Sequence, residues 1–365
     1  MLSVSFFIGK MSLVNGIARV VYNIAQELEK DKSLNISVVS PYCENEAKEI
    51  LAGKFAIYDL KLKEVSQKER YFKIGKPLRQ FVQRHQIDIL IIAGTEWCVP
   101  VYLACKSFHS LKFVSWEHQC FIKKPKFRLE WFGRRLACKK FSGLLSITKK
   151  DYNYYKEYIV NDKKLFQIYN LSNFAVERKV YKKESRKIIS CGYLSAIKGF
   201  DMLIKIAARL FSENSEWQWD IYGEGPERVN LEKMIHEYHL EKHVFLKGYY
   251  SNINELYANY SFFVLTSRSE GMGMVLIEAQ KAGLPIVSFD INCGPSDIIV
   301  DGKNGYLIKP FDINDMEKKI CQLINSEVLR EKFSVASEMK HEELKTDYIV
   351  EKWYKLLEYV IQNNS

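Results

Sequence analysis

Residues 262–289 read FFVLTSRSEGMGMVLIEAQKAGLPIVSF, in which two short apolar runs flank a glycine-rich turn and a helical pattern. The apolar runs are typical of buried strands. Between them, Met274 to Gly283 has the pattern of a helix, which Gly283 and Pro285 would end. A strand, a turn, a helix and a further strand make a βαβ unit, which is the building block of parallel sheets.

Two carboxylates bracket the turn, because Glu270 and Glu278 enclose EGMGMVLIE. The free N–H groups and the dipole of a helix N-terminus favour a bound anion. The carboxylates cannot bind that anion, but they can accept hydrogen bonds from hydroxyl groups on either side of it. Eight residues at about 1.5 Å rise span roughly 12 Å if helical, which is about the length of a diphosphate between two sugars. The segment therefore indicates a nucleotide-sugar site.

The composition is that of an ordinary globular protein. A chain of 365 residues favours two domains, and 47% hydrophobic with 27% charged residues excludes a disordered chain. No apolar run approaches the roughly 18–20 residues of a membrane helix. Residues 1–13 lack a basic lead and a cleavage site, which favours a buried strand over a signal peptide. Eight scattered cysteines without a CxxC pair indicate free thiols in a reducing cytoplasm, with neither disulfides nor a metal site.

Apolar, β-rich runs alternate with helical patterns along the chain, as in parallel α/β sheets. In the first half the predicted strands lie at 2–8, 35–40, 87–93, 111–116, 143–148 and 165–170. In the second half they lie at 187–192, 217–223, 243–248, 261–266, 285–289 and 305–308. Helices are predicted at 16–30 and 346–362, and the basic segment 171–187 is the expected hinge. The pattern predicts two Rossmann-like, doubly wound domains, at 1–172 and 186–345, which face a central cleft.

Four blocks of the second half carry a resemblance to a known family. They are CGYLSAIKGFDMLI (191–204), DIYGEGPERVNLEKMI (220–235) with VFLKGY (244–249), the glutamate pair, and GPSDIIVDGKNGYLI (294–308). In this order they resemble the C-terminal domain of retaining GT-B glycosyltransferases of glycosyltransferase family 4, also called glycosyl transferases group 1. In the first half the resemblance rests on Asn15-Gly16 and Glu117-His118. It implies a GT-B fold, retention of configuration, no metal, and a C-terminal helix, 346–365, that packs back onto the first domain.

Within this resemblance, Glu270 and His118 are the catalytic candidates. Glu270 would contact hydroxyls of the donor sugar or steady charge on the reacting ring, and His118 would donate to the sugar or take part in proton movement. Glu278 would hold the ribose hydroxyls, and Lys198 would reach the diphosphate as a mobile charge. From the residues alone, solvated carboxylates, a solvated lysine and a core histidine remain alternatives.

Tyr193 departs from the family pattern, because that position usually holds an arginine whose fork would grip phosphate. Either Tyr193 supplies a hydroxyl donor, or another basic residue compensates, or phosphate binding depends on Lys198 and the 271–275 turn. The remaining donor-site candidates are Gly16 before the first helix, Gly223 on the cleft floor, Gly248 and Tyr249 near the nucleobase, and Gly271, Met272, Gly273, Met274 and Val275 in the turn.

The basic charge is concentrated in the first half. Residues 1–170 contain 29 Lys+Arg and 16 Asp+Glu, whereas residues 171–365 contain 25 and 28. The segment KKPKFRLEWFGRRLACKK (123–140) mixes basic and aromatic residues. This pattern suits an anionic membrane, nucleic acid or a solvated helix that covers the core. With the resemblance, docking to anionic lipid beside a lipid-linked acceptor is the favoured interpretation, and nucleic acid is not an expected partner.

The sequence thus predicts a metal-independent retaining glycosyltransferase without a cofactor, cytoplasmic or peripheral on the inner face of the plasma membrane. Its donor would be a nucleotide sugar, with UDP favoured over GDP by family habit. Its acceptor would be a glycan or lipid-linked oligosaccharide of a surface polysaccharide such as lipopolysaccharide or capsule. A nucleotide-sugar 2-epimerase of the same fold is the alternative, and a nucleic-acid-binding module would leave residues 187–310 unexplained.

Overall fold

The computed structural model describes residues 1–12, 16–45, 55–120, 128–172, 182, 184–212, 216–250, 255–339 and 342–363. The chain divides into two compact units. The first unit comprises Met1–Ser172 with Lys345–Ser365, and the second comprises Asn173–Leu344. Each unit is built on one parallel sheet with its own apolar core.

The first unit has a seven-stranded sheet in the order β3-β2-β1-β4-β5-β6-β7. Its strands are β1 (Leu2–Ile8), β2 (Leu34–Ser40), β3 (Ala56–Asp59), β4 (Ile89–Ala93), β5 (Lys112–Trp116), β6 (Gly143–Ser146) and β7 (Leu165–Gln167). All of these strands pair in parallel. The strand order reverses beside β1, which is the switch point of a doubly wound sheet, where ligands bind at the carboxyl ends of the strands.

The helices of the first unit connect these strands. They span Gly16–Leu28, Gln67–Lys73, Gly75–His85, Cys98–Cys105, Leu129–Lys140 and Lys149–Lys156. The first of them buries Val20, Val21, Ile24 and Leu28 on one face, as its apolar periodicity predicts. The last helix of the chain, Thr346–Gln362, also belongs to this unit.

Trp353 anchors the last helix to the sheet of the first unit. Its ring lies 4.8 Å from that of Trp116 and 5.7 Å from that of Phe6, measured between centroids. Trp353 is 1% exposed. An indole buried among aromatic rings stabilises the fold through the apolar area that it buries and through edge-to-face contacts between the rings. The helix Thr346–Gln362 therefore contributes to the core of the first unit.

The second unit has a six-stranded sheet in the order β10-β9-β8-β11-β12-β13. Its strands are β8 (Lys187–Cys191), β9 (Gln218–Tyr222), β10 (Val244–Gly248), β11 (Phe262–Leu265), β12 (Ile286–Phe289) and β13 (Gly305–Ile308). Its helices span Phe200–Leu210, Arg228–Glu237, Met274–Lys281, Pro295–Ile298, Ile313–Asn325 and Glu327–Met339. The strand order again reverses, here between β8 and β11, and all pairs are parallel.

All twelve predicted strands are confirmed, with ends that differ by at most a few residues. The structure adds β3, which the sequence pattern does not predict. This edge strand has no fully buried residue, so it lacks the apolar run by which the other strands are recognised.

The eight cysteines all lie within the described residues and form no disulfide, and six of them are buried. Burial raises the pKa of the Cys105 thiol to about 12 and that of Cys138 to about 11. Within the described part of the chain, no helix has the length and the apolar character needed to cross a bilayer.

The helix Leu129–Lys140 lies very close to the chain that follows β4. A Cβ atom on Gly133 would overlap the carbonyl oxygen of Thr95. Arg134 and Ala137 share this buried face. A glycine is needed here because the helix backbone itself contacts the neighbouring segment.

We expect Gly133→Ala to lower the free energy of unfolding by about 1–3 kcal/mol, the usual cost of overpacking. Urea unfolding measures this change. Gly75→Ala is the matched control, because a Cβ atom there meets nothing within 4 Å. Equal midpoints for the two variants would contradict the close approach.

Candidate active site

In the second unit, the predicted residues gather at the carboxyl ends of the strands. The helix Met274–Lys281 begins directly after Gly273, whose φ of +75° suits a glycine. Leu276 N–H donates to the Gly273 carbonyl at 2.9 Å, which closes the first turn. The turn residues Met272 and Gly273 are buried, and Gly271, Met274 and Val275 are half-buried. The turn therefore presents a helix N-terminus at the end of β11.

Glu270 forms an ion pair with Lys198 beside this turn. Lys198 Nζ lies 2.6 Å from Oε1 and 2.9 Å from Oε2 of Glu270, so both carboxylate oxygens share one ammonium group. Ser267 donates a further hydrogen bond to Oε1 at 2.6 Å. The Glu270 side chain is 7% exposed and that of Lys198 is 21% exposed. The structure thus brings together the predicted sugar-side carboxylate and the predicted phosphate-side cation.

Arg268 connects the end of β11 to the segment that carries Lys198. Its two terminal nitrogens donate to the two carboxylate oxygens of Asp201, each at 2.7 Å. One of them also donates to the Ala196 carbonyl at 2.6 Å, and Arg268 N–H donates to the Ile197 carbonyl at 2.8 Å. The hydrogen bonds with Arg268 lower the pKa of Asp201, and those with Asp201 raise the pKa of Arg268.

Glu278 lies on the buried side of the helix Met274–Lys281 and is 2% exposed. Tyr257 donates a hydrogen bond to its Oε2 at 3.3 Å. Burial holds the pKa of Tyr257 well above its usual value, so the phenol stays a donor. Tyr257 therefore orients the predicted ribose-side carboxylate from within the unit.

Gly223 directly follows β9, and Gly248 is the last residue of the neighbouring strand β10. Gly223 N–H donates to the Gly248 carbonyl at 2.8 Å. A Cβ atom on Gly223 would overlap the carbonyl oxygen of Gly192, so close approach of two loops explains this glycine without a ligand. At the same edge Tyr193 is 58% exposed and Tyr249 is 63% exposed. Both aromatic side chains are thus available to a ligand.

In the first unit, Gly16 is the first residue of the helix Gly16–Leu28. It is exposed, and a Cβ atom there would meet nothing within 4 Å. Its own packing therefore does not require a glycine. Asn15, which completes the predicted turn, lies outside the described residues.

His118 follows β5 and is 9% exposed. Its ring lies 4.5 Å from that of Trp116 between centroids. No described residue makes a hydrogen bond with its Nε2, although this atom is buried. Burial lowers the pKa of His118 to about 3. The neutral imidazole therefore offers a nitrogen that can donate or accept a hydrogen bond.

The neighbouring Glu117 lies in a buried network with Arg134 and Tyr155. Arg134 Nε donates to Glu117 Oε2 at 2.6 Å, and Tyr155 donates to the same oxygen at 3.0 Å. Gln119 N–H donates to Oε1 at 3.0 Å. The side chains of Glu117 and Arg134 are 1% and 5% exposed. These contacts fix the segment that carries His118.

The basic segment is only in part a solvated helix. Residues 121–127 lie outside the described residues, so the contacts of Phe127 are not described. In the helix Leu129–Lys140, Arg134 is buried and paired with Glu117, whereas Leu129 and Phe132 are 40% and 45% exposed. Arg135 lies over the ring of Trp131, 4.2 Å from its centroid. Lys139 and Lys140 at the end of this helix are exposed.

Four further residues contact the predicted ones or the segments that carry them. They are Asp201, Tyr257, Ser267 and Arg268. Each contacts a predicted residue or its segment, but none stands in a pattern that separates it from ordinary polar residues. Asp201 and Arg268, for instance, are 67 positions apart.

Both halves of the chain match known protein families. Residues 14–172 match the model described as Glycosyltransferase Family 4, and residues 173–339 match the model described as Glycosyl transferases group 1. The boundary between the two matches coincides with the boundary between the two compact units.

Individual proteins give a consistent likeness. The chain is 28% identical over 362 residues to an uncharacterized glycosyltransferase of Haemophilus influenzae, covering 98% of this chain and 100% of that protein. It is 39% identical over 203 residues to the poly(ribitol-phosphate) alpha-N-acetylglucosaminyltransferase of Staphylococcus aureus, covering 54% of this chain and 41% of that protein. The chain thus aligns with less than half of that relative.

The crystal structure of a mutant of S. aureus TarM in complex with fondaparinux, alpha-GlcNAc-glycerol and UDP is similar in fold. Its TM-score is 0.83 at 20% identity, with 98% of this chain and 99% of that chain covered. The predicted fold is confirmed, because two parallel-sheet α/β units and this likeness are those of the GT-B fold.

We expect His118 to make stability depend on pH. In the unfolded chain a histidine binds a proton below about 6.5, whereas burial keeps the folded pKa at about 3. Stability is therefore lost as the pH falls from about 6.5 towards 3, by up to about 1.4 kcal/mol per pH unit. Urea unfolding between pH 7.5 and 5 should show a steeper loss for the wild type than for His118→Gln. Equal slopes, or an imidazole NMR titration midpoint near 6.5, would contradict the buried neutral state.

Proposed function

This chain belongs to the GT-B glycosyltransferases of glycosyltransferase family 4, and on that premise we propose that it transfers a sugar from a UDP-sugar to a glycan or lipid-linked acceptor with retention of configuration. The observation that carries the proposal is the pair of Lys198 and Glu270 beside the N-terminus of the helix that holds Glu278. A cation and a helix N-terminus suit a diphosphate, and a carboxylate on each side suits sugar and ribose hydroxyls.

Donor binding would exchange the partners of this ion pair. The diphosphate would take the Lys198 ammonium from Glu270, and hydroxyls of the donor sugar would then donate to the released carboxylate. Glu270 is only 7% exposed, so leaving its carboxylate with the Ser267 hydroxyl as its one described donor would be costly. A complete nucleotide sugar supplies both replacements at once. In this proposal Glu270 contacts the donor sugar and Lys198 contacts the phosphates.

Retention is supported by the α configuration that appears in the name of one relative and in a ligand bound to another. The S. aureus transferase is an alpha-N-acetylglucosaminyltransferase, and the TarM complex contains alpha-GlcNAc-glycerol with UDP. UDP-N-acetylglucosamine is itself an α-glycoside, so an α product from it keeps the configuration. In the proposed step the bond from C1 to the leaving phosphate breaks, and the bond to the acceptor oxygen forms on the same face. The acceptor proton passes to the leaving phosphate oxygen.

The negative charge of the leaving diphosphate would be offset by positively charged and polar groups of the protein. The Lys198 ammonium and the helix N-terminus after Gly273 are the described groups suited to this role. Arg268 is directed to Asp201, and Tyr193 offers one hydroxyl. We therefore propose that transfer needs no metal ion.

A membrane-associated acceptor fits the surface of the first unit. The helix Leu129–Lys140 exposes Leu129 and Phe132 together with Arg135 and Lys139. Apolar side chains flanked by cations bind anionic bilayers because the apolar groups are buried in the bilayer and the cations are attracted to the anionic lipids. We propose that this face binds the bilayer and that the acceptor belongs to a surface polysaccharide.

Substitution of each glutamate distinguishes an effect on the rate of sugar transfer from an effect on UDP affinity. Glu270→Ala should lower transfer by about 100-fold or more, the scale of a lost contact to the transition state, while UDP still binds. Glu278→Ala should weaken UDP binding by about tenfold, as one lost charged hydrogen bond does, with less effect on turnover at saturating donor. Steady-state kinetics with UDP-N-acetylglucosamine and other UDP- and GDP-sugars, with UDP calorimetry, measure both.

Unchanged turnover of Glu270→Ala would contradict its assigned role, and unchanged UDP affinity of Glu278→Ala would contradict the ribose contact. Formation of a 2-epimerised nucleotide sugar without acceptor would support the alternative epimerase instead.

Membrane binding is tested by co-sedimentation with vesicles. The double variant Leu129→Ser/Phe132→Ser should bind vesicles of phosphatidylglycerol and phosphatidylcholine several-fold more weakly than the wild type. The reason is that it loses the apolar side chains that would be buried in the bilayer on binding. Val328→Ser is the matched control, because Val328 is 77% exposed on the second unit. Equal binding of wild type and double variant, or equal binding to purely zwitterionic vesicles, would contradict the proposed face.

A further inference from the structure

The short segment Ala196–Lys198 lies at the surface but is firmly attached to the end of β11. Ala196 is exposed, Ile197 is 50% exposed, and the Lys198 side chain is 21% exposed. The hydroxyl of Thr266 donates to the Lys198 carbonyl at 3.3 Å. A Cβ atom on Gly199, whose φ is +69°, would overlap the Thr266 carbonyl oxygen. The backbone at Lys198 is therefore held against β11 by polar contacts and not by a core of its own.

Arg268 makes contacts on both sides of Lys198 along the chain. On one side its guanidinium donates to the Ala196 carbonyl at 2.6 Å. On the other side it binds Asp201 with two hydrogen bonds of 2.7 Å. Asp201 lies in the first turn of the helix Phe200–Leu210. The planar guanidinium of Arg268 thus joins Ala196 to Asp201. Lys198 lies between these two residues in the chain.

We propose that Arg268 is a positioning residue for the donor diphosphate, acting through Lys198, and that it compensates in this way for the tyrosine at 193. The inference rests on the proposed function of the site. Lysine has a long flexible stem and gives no directional grip of its own. Holding the backbone of Lys198 in place limits the positions that its ammonium group can occupy. Less conformational entropy is therefore lost when phosphate binds.

A direct contact between Arg268 and phosphate is the competing explanation. The two explanations predict opposite changes in UDP affinity for one substitution, Asp201→Asn. If Arg268 positions Lys198 through Asp201, then Asp201→Asn weakens UDP binding, because the fork loses its charged partner. If Arg268 itself binds phosphate, the same substitution releases the guanidinium and leaves UDP binding unchanged or stronger. The neutral amide of asparagine keeps the size of the side chain.

The experiment measures UDP affinity by calorimetry for the wild type, Arg268→Gln, Asp201→Asn, Lys198→Met and Arg268→Gln/Lys198→Met. Arg268→Gln and Asp201→Asn should each weaken binding by roughly tenfold, the loss of a charged hydrogen bond. The double variant should bind no more weakly than Lys198→Met alone, because Arg268 acts through Lys198 and the losses do not add. Arg209→Gln is the matched control, since Arg209 also pairs with a carboxylate of this unit, at 3.2 Å from Glu317.

Additive losses in the double variant, or unweakened binding by Asp201→Asn, would overturn the positioning role. A loss of affinity that follows a fall in melting temperature, and that appears equally in Arg209→Gln, would reduce Arg268 to a structural residue and overturn it as well. Failure of the wild type to bind UDP would instead overturn the proposed nucleotide site, and the positioning role with it. Weaker binding by both single variants at an unchanged melting temperature, without further loss in the double variant, supports the proposal.

Discussion

The contact between Lys198 and Glu270 joins residues that are 72 positions apart, and the arrangement of the candidate site depends on it. The contact is possible because the loops after β8 and β11 touch through their backbones. Gly199 leaves no room for a side chain against the Thr266 carbonyl, so its left-handed conformation and its lack of a Cβ atom are both required. The parallel order, in which β8 pairs directly with β11, brings these loops to one edge.

A comparable constraint operates in the first unit, where the buried charge of Glu117 must be compensated. Arg134 and Tyr155 supply the partners, and a buried pair that loses one partner is strongly destabilised. Because Arg134 belongs to the helix Leu129–Lys140, the network ties the buried face of that helix to the segment that carries His118. The same helix exposes its apolar and basic residues on the opposite side, so its basic residues serve two different purposes.

The sequence was sufficient where burial leaves a periodic or continuous apolar pattern. It predicted twelve strands because each carries buried residues, and it did not predict β3 because that edge strand is half-exposed. It predicted the helices that follow Glu270 and Lys198 through motifs that are local in the chain. It could not predict that Arg134 is buried while Arg135 is not, since both stand in one basic run. The contacts of Arg268 and Tyr257 depend on tertiary pairing, which leaves no local signal.

The choice of cation at each position follows from what the contact has to do. Arg268 binds Asp201 through two parallel hydrogen bonds, a geometry that only a planar fork can make, so it suits a contact that stays in place. Lys198 contacts Glu270 as a compact charge that both oxygens share, and such a contact can be exchanged for phosphate oxygens without a defined orientation. An arginine at 198 would hold Glu270 more rigidly and oppose that exchange. A lysine at 268 could not bind both oxygens of Asp201 while also donating to Ala196 in the same plane. The fixed arginine and the exchangeable lysine are therefore not interchangeable in this site.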